Sequence, residues 1–229
     1  MRESILTIPV NDVFGPKCGC PICRMRDEIE LHISEYIMGA AMMEPDVRIE
    51  TNRLGFCSTH YNLLLKQNNR LSLALMLNTH MKEKQSDIFS KKLFSKLKKG
   101  DKAPQTCFVC EKVNWGISHT LETVFNMYVK DAAFKKLFMS QEYVCLPHYD
   151  LLMREGREKM SKGDFSDFSK ALDTLVGGYM EKLNGDVNEF CNSFDYRNAG
   201  KLHSEEMEHV RTSVERAIEF MTGRKPIAK

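Results

Sequence analysis

The sequence predicts an all-α protein, an internally duplicated chain of two zinc-stapled helical units followed by a C-terminal helix. Three observations carry this expectation. Apolar residues recur at spacings of three and four through most of the chain, the period of a half-buried helix. A Cys-x2-Cys pair followed later by a Cys-x2-His pair occurs twice, as Cys20, Cys23, Cys57, His60 and as Cys107, Cys110, Cys145, His148. The flanks of the two copies also fall into step: Phe56 with Val144, Tyr61 with Tyr149, Leu63 and Leu64 with Leu151 and Leu152, and His32 with His119. A repeat of this kind reorganises every other inference, so it is sought first.

Taken in order, residues 5–10 read as a short strand, the one β-like stretch. After the first cysteine pair, Ile22, Met25, Ile29, Ile33, Tyr36, Ile37 and Ala40 draw one apolar stripe along a helix. Pro45 opens a short helix over 46–53, which Gly55 can end in a left-handed cap. Ser58 suits the cap of a helix carrying His60 and Leu63 to Leu65. A long helix over 71–98 is expected to turn Leu73, Leu77, Met81, Ile88 and Leu97 inward. The linker 99–104 holds Gly100 and Pro104 and separates the copies. The second copy repeats the plan: a helix after Cys110, a short one over 131–138, one after Cys145 and a longer one from Asp164. A final helix over 204–222 carries Glu205 and Glu206 in its first turn, where the dipole favours acids. The expected division is therefore a first zinc-binding repeat over 1–99, a second over 100–192, and a C-terminal docking segment over 193–229.

Composition narrows the function classes. Hydrophobic residues at 42% and charged residues at 28% describe an ordinary globular chain and not a disordered one. A formal net charge of +2 gives no reason to expect nucleic acid or an anionic membrane as partner. No secretory pattern opens the chain, and no apolar run approaches the roughly 20 residues of a membrane span. The expected location is the cytoplasm, where cysteines serve metal ligation or redox chemistry and not disulfides.

Three thiolates and one imidazole are a common closed ligand set for zinc. Cys-x2-Cys supplies two sulfurs from one turn. Cys-x2-His at a helix start puts sulfur and nitrogen on one face, because residues three apart are neighbours there. A helix N-terminus also favours thiolate. With inserts of nearly equal length, 24–56 and 111–144, each half is expected to close its own site: Cys20, Cys23, Cys57 and His60 in one, Cys107, Cys110, Cys145 and His148 in the other. Both zinc ions would then be structural, and their removal is expected to melt the fold. An iron–sulfur cluster is the alternative reading of the same ligands.

Other residues invite weighing. Cys18 has Gln105 as counterpart, so it lies outside the duplication and is a spare thiol, an extra ligand or a reactive group beside the metal. Cys191, beside Phe190 and Phe194, reads as a buried inert cysteine. His32 and His119 stand roughly 13 Å along a helix from their cysteine pairs, too far for the same metal, and are expected half-buried where the halves meet. Lys91, Lys92, Lys96, Lys98, Lys99 and Lys102 form a basic cluster best taken as a solvated helix end. Arg48, Asn52, Asp195 and Arg197 are either polar contacts that dock the C-terminal segment or the wall of a cleft. No phosphate loop, zinc-protease motif or serine nucleophile motif is present.

Three stretches carry a family resemblance: Cys-Gly-Cys-Pro-Ile-Cys at 18–23, the run from Glu44 to His60, and Phe-Asp-Tyr-Arg-Asn at 194–198. With them the chain resembles an uncharacterised bacterial family, a domain of unknown function with duplicated cysteine–histidine motifs. The resemblance runs from about Cys18 to Gly223 and is looser in the second half. It implies a bacterial origin and marks Arg48, Asn52, Asp195 and Arg197 as meaningful positions without assigning them a role. The expected function is a zinc-stabilised interaction or regulatory module whose partner is a protein or a small molecule. A thiol- or zinc-based redox or metal sensor is the alternative, and an enzyme with a cleft near Arg48 and Arg197 a further one.

Overall fold

Helical periodicity in the sequence becomes helix in three dimensions. The computed structural model describes residues 8–89, 106–195 and 207–226, and no strand occurs among them. The helices are α1 (Ile8–Phe14), α2 (Pro21–Met38), a 3-10 turn (Ala40–Met43), α3 (Pro45–Leu54), α4 (Ser58–Leu65), α5 (Arg70–Phe89), α6 (Phe108–Lys130), α7 (Ala132–Met139), α8 (Leu146–Lys159), α9 (Lys162–Asn192), α10 (Glu208–Arg211) and α11 (Ser213–Thr222). The lysine cluster 91–102, the linker 99–104, Leu97, Arg197, Glu205 and Glu206 lie outside the described residues. The strand expected over 5–10 is overturned where it is described. Ile8 to Val10 open α1, because Val10, Val13 and Phe14 bury together at helical spacing.

The chain divides into two units, Met1–Met25 with Ser118–Lys229 and Arg26–Ile117, so the second is inserted into the first. The boundaries fall inside α2 and α6.

In the first unit, α9 is the spine. Phe168, Leu172, Val176, Tyr179, Leu183 and Asp186 form its buried seam, and α7, α8, α10 and α11 pack on it. Ser161 caps it by accepting from the Asp164 amide at 3.2 Å, and Asp131 caps α7 through the amides of Ala133 and Phe134. Phe14, Tyr128, Phe134, Phe138 and Phe168 form a ring cluster with centroids 5.0–5.7 Å apart. Buried Asp186 accepts from Arg216 at 2.8 Å and pins α11 to the spine. The expected final helix is broken at Thr212 into α10 and α11. Cys191, expected buried, is exposed: the buried seam ends at Asp186, and the half-buried Phe190 continues its line, which leaves the next residue about 100° around the helix.

In the second unit α3 and α4 pack on α5. Arg48 donates to the Leu75 carbonyl at 3.0 Å and to Thr79 Oγ1 at 2.6 Å, and Thr79 donates to Asn52 Oδ1 at 2.6 Å. Arg48 and Asn52 therefore dock α5 onto α3. Leu73 is buried as expected, but Met81 and Ile88 are exposed, as are Leu71, Leu75 and Phe89. On α2 the buried positions are Pro21, Ile22, Cys23 and Met25 in the first unit and Glu30, Ser34, Ile37 and Met38 in the second. Ile29 and Ile33 flank that line half-buried, and Tyr36 and Ala40 face out. His32 and His119, expected half-buried, are both exposed.

Candidate metal centres

Two groups of four side chains have their ligand atoms mutually within 4.8 Å: Cys20, Cys23, Cys145, His148 and Cys57, His60, Cys107, Cys110. By chain order they are the outer and the inner cluster. Each lies within a single unit.

The outer cluster is assembled by polar contacts on both sides of it. The Arg24 guanidinium donates to the Val13 carbonyl at 2.6 and 2.8 Å, to the Cys18 carbonyl, and to Gln141 Oε1 at 3.3 Å. Gln141 in turn donates to the Phe14 carbonyl at 2.7 Å, and the Gly19 amide donates to Glu142 at 2.6 Å. Segment 13–24 is thereby tied to 141–145. Cys145 is the N-cap of α8, and His148 follows one turn in. His148 Nδ1 meets Sγ of Cys145, Cys23 and Cys20 at 3.2, 3.4 and 3.5 Å, and Cys23 and Cys145 are 3.6 Å apart. All four residues are buried.

The inner cluster depends on a glycine. Gly55 ends α3 with φ 63° and ψ −157°, a conformation that essentially only glycine adopts. An added Cβ would also lie 2.5 Å from His80 Nε2. In that conformation the Gly55 carbonyl accepts from the Phe108 amide at 2.9 Å, while Thr106 donates to the Leu54 carbonyl at 2.8 Å. These bonds lay the residues before Cys57 against those around Cys107. Cys57, and not Ser58, is the N-cap of α4. His60 Nδ1 meets Sγ of Cys57, Cys107 and Cys110 at 3.1, 3.2 and 3.4 Å, and Cys57 and Cys110 are 3.9 Å apart. On its far side His60 Nε2 lies 2.7 Å from Glu30 Oε1. Cys57 and Cys110 are only half-buried.

The expected pairing within each half is thus wrong. The first Cys-x2-Cys meets the second Cys-x2-His, and the second meets the first. Helix lengths explain it. At 1.5 Å per residue α2 carries the chain about 27 Å from its cysteines, and the return helix α3 covers only about 15 Å. The second copy has the same imbalance, about 35 Å out along α6 and 12 Å back along α7. Neither Cys-x2-His pair can come back to the cysteines that precede it.

In each cluster one thiol is lowered and a neighbouring thiol is raised. Burial raises Cys107, but hydrogen bonds from His60 and the Cys110 and Cys57 amides overcome it and hold the thiol down at about 6. Burial and the charge of Cys107 push Cys110 up to about 12. In the outer cluster Cys20 is likewise lowered: burial opposes this, and hydrogen bonds from Cys145, Cys23 and His148 prevail. Hydrogen bonding to Cys20 then carries Cys145 up to about 12. Burial works against a charged His60, yet hydrogen bonds to Cys107 and Glu30 push it up to about 10. A divalent cation that displaces these protons meets three thiolates and a neutral imidazole, so its affinity falls as pH falls.

The donor sets suit such an ion. A tetrahedron with metal–sulfur bonds near 2.3 Å and a metal–nitrogen bond near 2.0 Å has edges of about 3.5–3.8 Å. The observed spacings of 3.1–3.9 Å bracket those edges. Sulfur pairs at 3.6 and 3.9 Å are far beyond the roughly 2.05 Å of a disulfide. Cys107, His60 and Glu30 also stand in the order of a thiol triad, but Cys107 is buried and two further sulfurs crowd the same imidazole nitrogen.

All eight expected ligand residues are thus brought into clusters that can hold a metal ion. Cys18 stands outside both, exposed, its Sγ 4.0 Å from Arg24 Nη1. Asp195 closes the turn after α9 by donating its amide hydrogen to the Asn192 carbonyl at 3.2 Å. Sequence reasoning missed Glu30. Its signal was a position eight residues after Ile22, on the buried line of α2. No helix of the described residues is long and apolar enough to cross a membrane. Neither the curated proteins nor the solved structures contain a match to the chain. One family model matches over residues 1–228, and the chain belongs to that family, DUF6062, a family of unknown function.

Proposed function

We propose that the protein is a zinc-stabilised helical interaction or regulatory module in which two zinc ions are structural. Cys20, Cys23, Cys145 and His148 hold one, and Cys57, His60, Cys107 and Cys110 the other. The observation that carries this reading is closure: each cluster offers four protein ligands whose atoms lie mutually within 4.8 Å, a full tetrahedral set that leaves no position for water or substrate. A duplicated origin accords with the repeated order α2-α3-α4-α5 and α6-α7-α8-α9. The partner is a protein or a small molecule, an idea in keeping with the apolar residues that α5 turns outward, among them Phe89 at 78% exposure. Elemental analysis and zinc-edge X-ray absorption on anaerobically purified protein test the metal reading. The expected result is two zinc ions per chain with a shell of three sulfurs and one nitrogen. Fewer than one zinc per chain, or an oxygen in the shell, would overturn it.

The half-exposed sulfurs of Cys57 and Cys110 favour one alternative, a thiol-based redox sensor. Peroxide would take two electrons from this thiolate pair, form one S–S bond, consume two protons, and leave two waters and a released metal ion. In that reading mild peroxide strips the inner cluster first, with equal efficiency in Cys18→Ser because Cys18 lies outside both clusters. Retention of both metals under peroxide would remove the alternative.

A further inference from the structure

Glu30 is 8% exposed, and burying a carboxylate is costly unless it is paired. Its partner is His60 Nε2 at 2.7 Å. The same ring presents Nδ1 to all three sulfurs of the inner cluster at 3.1–3.4 Å. A ring that ligates through Nδ1 must carry its proton on Nε2, where Glu30 accepts it. The outer cluster lacks this arrangement. His148 turns Nδ1 to its three sulfurs in the same way, yet among the described residues no carboxylate pairs with its Nε2.

We infer that Glu30 is the positioning residue of the inner metal site: its carboxylate fixes the His60 tautomer and makes that imidazole the stronger donor, so the two sites hold metal by different means. This inference rests on the metal reading above. A carboxylate behind a ligating imidazole orients the ring and raises its basicity, and losing such a partner lowers metal affinity about 10–100-fold. The pairing also gives the buried Glu30 carboxyl on α2 a side-chain partner. The two sites also differ in exposure: Cys57 and Cys110 are half-buried, whereas the outer cysteines are buried.

The test uses the full chain loaded with Zn2+ or Co2+ and competed with a chromophoric chelator. Cys57→Ser identifies which of the two binding constants belongs to the inner site. Glu30→Gln and Glu30→Leu should weaken the inner constant about 10–100-fold, with Leu at the larger end, and leave the outer constant unchanged. An unchanged inner constant, or an equal fall at both sites, would refute the role of Glu30. Should the variants fail to fold, nitrogen-15 spectra of the zinc-loaded wild type decide the matter. They should place the His60 proton on Nε2 and the metal on Nδ1, and the reverse tautomer would refute it. If the wild type takes up neither ion, the metal reading itself fails. If it takes up two and the Glu30 variants match it, only this inference falls.

Discussion

Serine at both Cys23 and Cys145 should leave one metal per chain, whereas serine at both Cys23 and Cys57 should leave none. The first pair of substitutions damages the outer cluster twice, and the second damages each cluster once. Pairing within halves would give the opposite pattern, so two double variants separate the topologies without a further structure. The effect is large because a serine hydroxyl remains protonated at neutral pH and replaces thiolate poorly. Structural zinc sites contribute on the order of 10 kcal/mol, and much of that is lost with one sulfur. Elemental analysis of the three single variants and the two doubles is the measurement. One metal in both doubles would contradict the nested pairing.

Chelation should unfold the inserted unit, Arg26–Ile117, before it unfolds the other. The large side chains with almost no exposure divide unevenly. Among the described residues, Phe14, Phe134, Phe138, Phe168, Phe220, Ile22, Leu121, Leu152 and Leu172 belong to the first unit, and Ile37, Leu64 and Met76 to the inserted one. A core that small needs a staple. Removing a contribution on the order of 10 kcal/mol from a unit whose whole stability lies in the usual range of about 5–15 kcal/mol leaves little to hold it. Hydrogen exchange after chelation should show α3, α4 and α5 exchanging freely while the seam of α9 stays protected. Melting in one step, the simpler expectation from the sequence, or full protection of both units, would show that the cores do not differ as argued.

The ligand residues were legible because zinc chemistry constrains residue type and local spacing together. Cys20 and Cys23, or Cys145 and His148, declare themselves within four residues. Which pair meets which is a property of the path between them, and no local pattern states it. The decisive signal lay in lengths: α2 outruns α3, and α6 outruns α7. That comparison requires helix ends that Gly39 and Asp131 only suggest in sequence. Glu30 was hidden for a different reason. A lone glutamate on a helix is ordinarily solvated, and Ile29 and Ile33 beside it drew the apolar stripe one residue away from the buried line. The inward turn assigned to Met81 and Ile88 failed because α5 is apolar on more than one side, so periodicity alone could not choose its face.

The nested clasp has a consequence for synthesis. Residues leave the ribosome in order, so of the eight cluster residues the first three cysteines and one histidine to emerge are Cys20, Cys23, Cys57 and His60, a set that the finished fold does not use. The inner cluster becomes complete only with Cys110, and the outer waits for His148. Until then two half-sites compete for one ion. A helix of the length of α2 forms in roughly a microsecond, whereas elongation adds only about 5–20 residues per second. While helical, α2 acts as a spacer that keeps the early ligands apart until their true partners arrive.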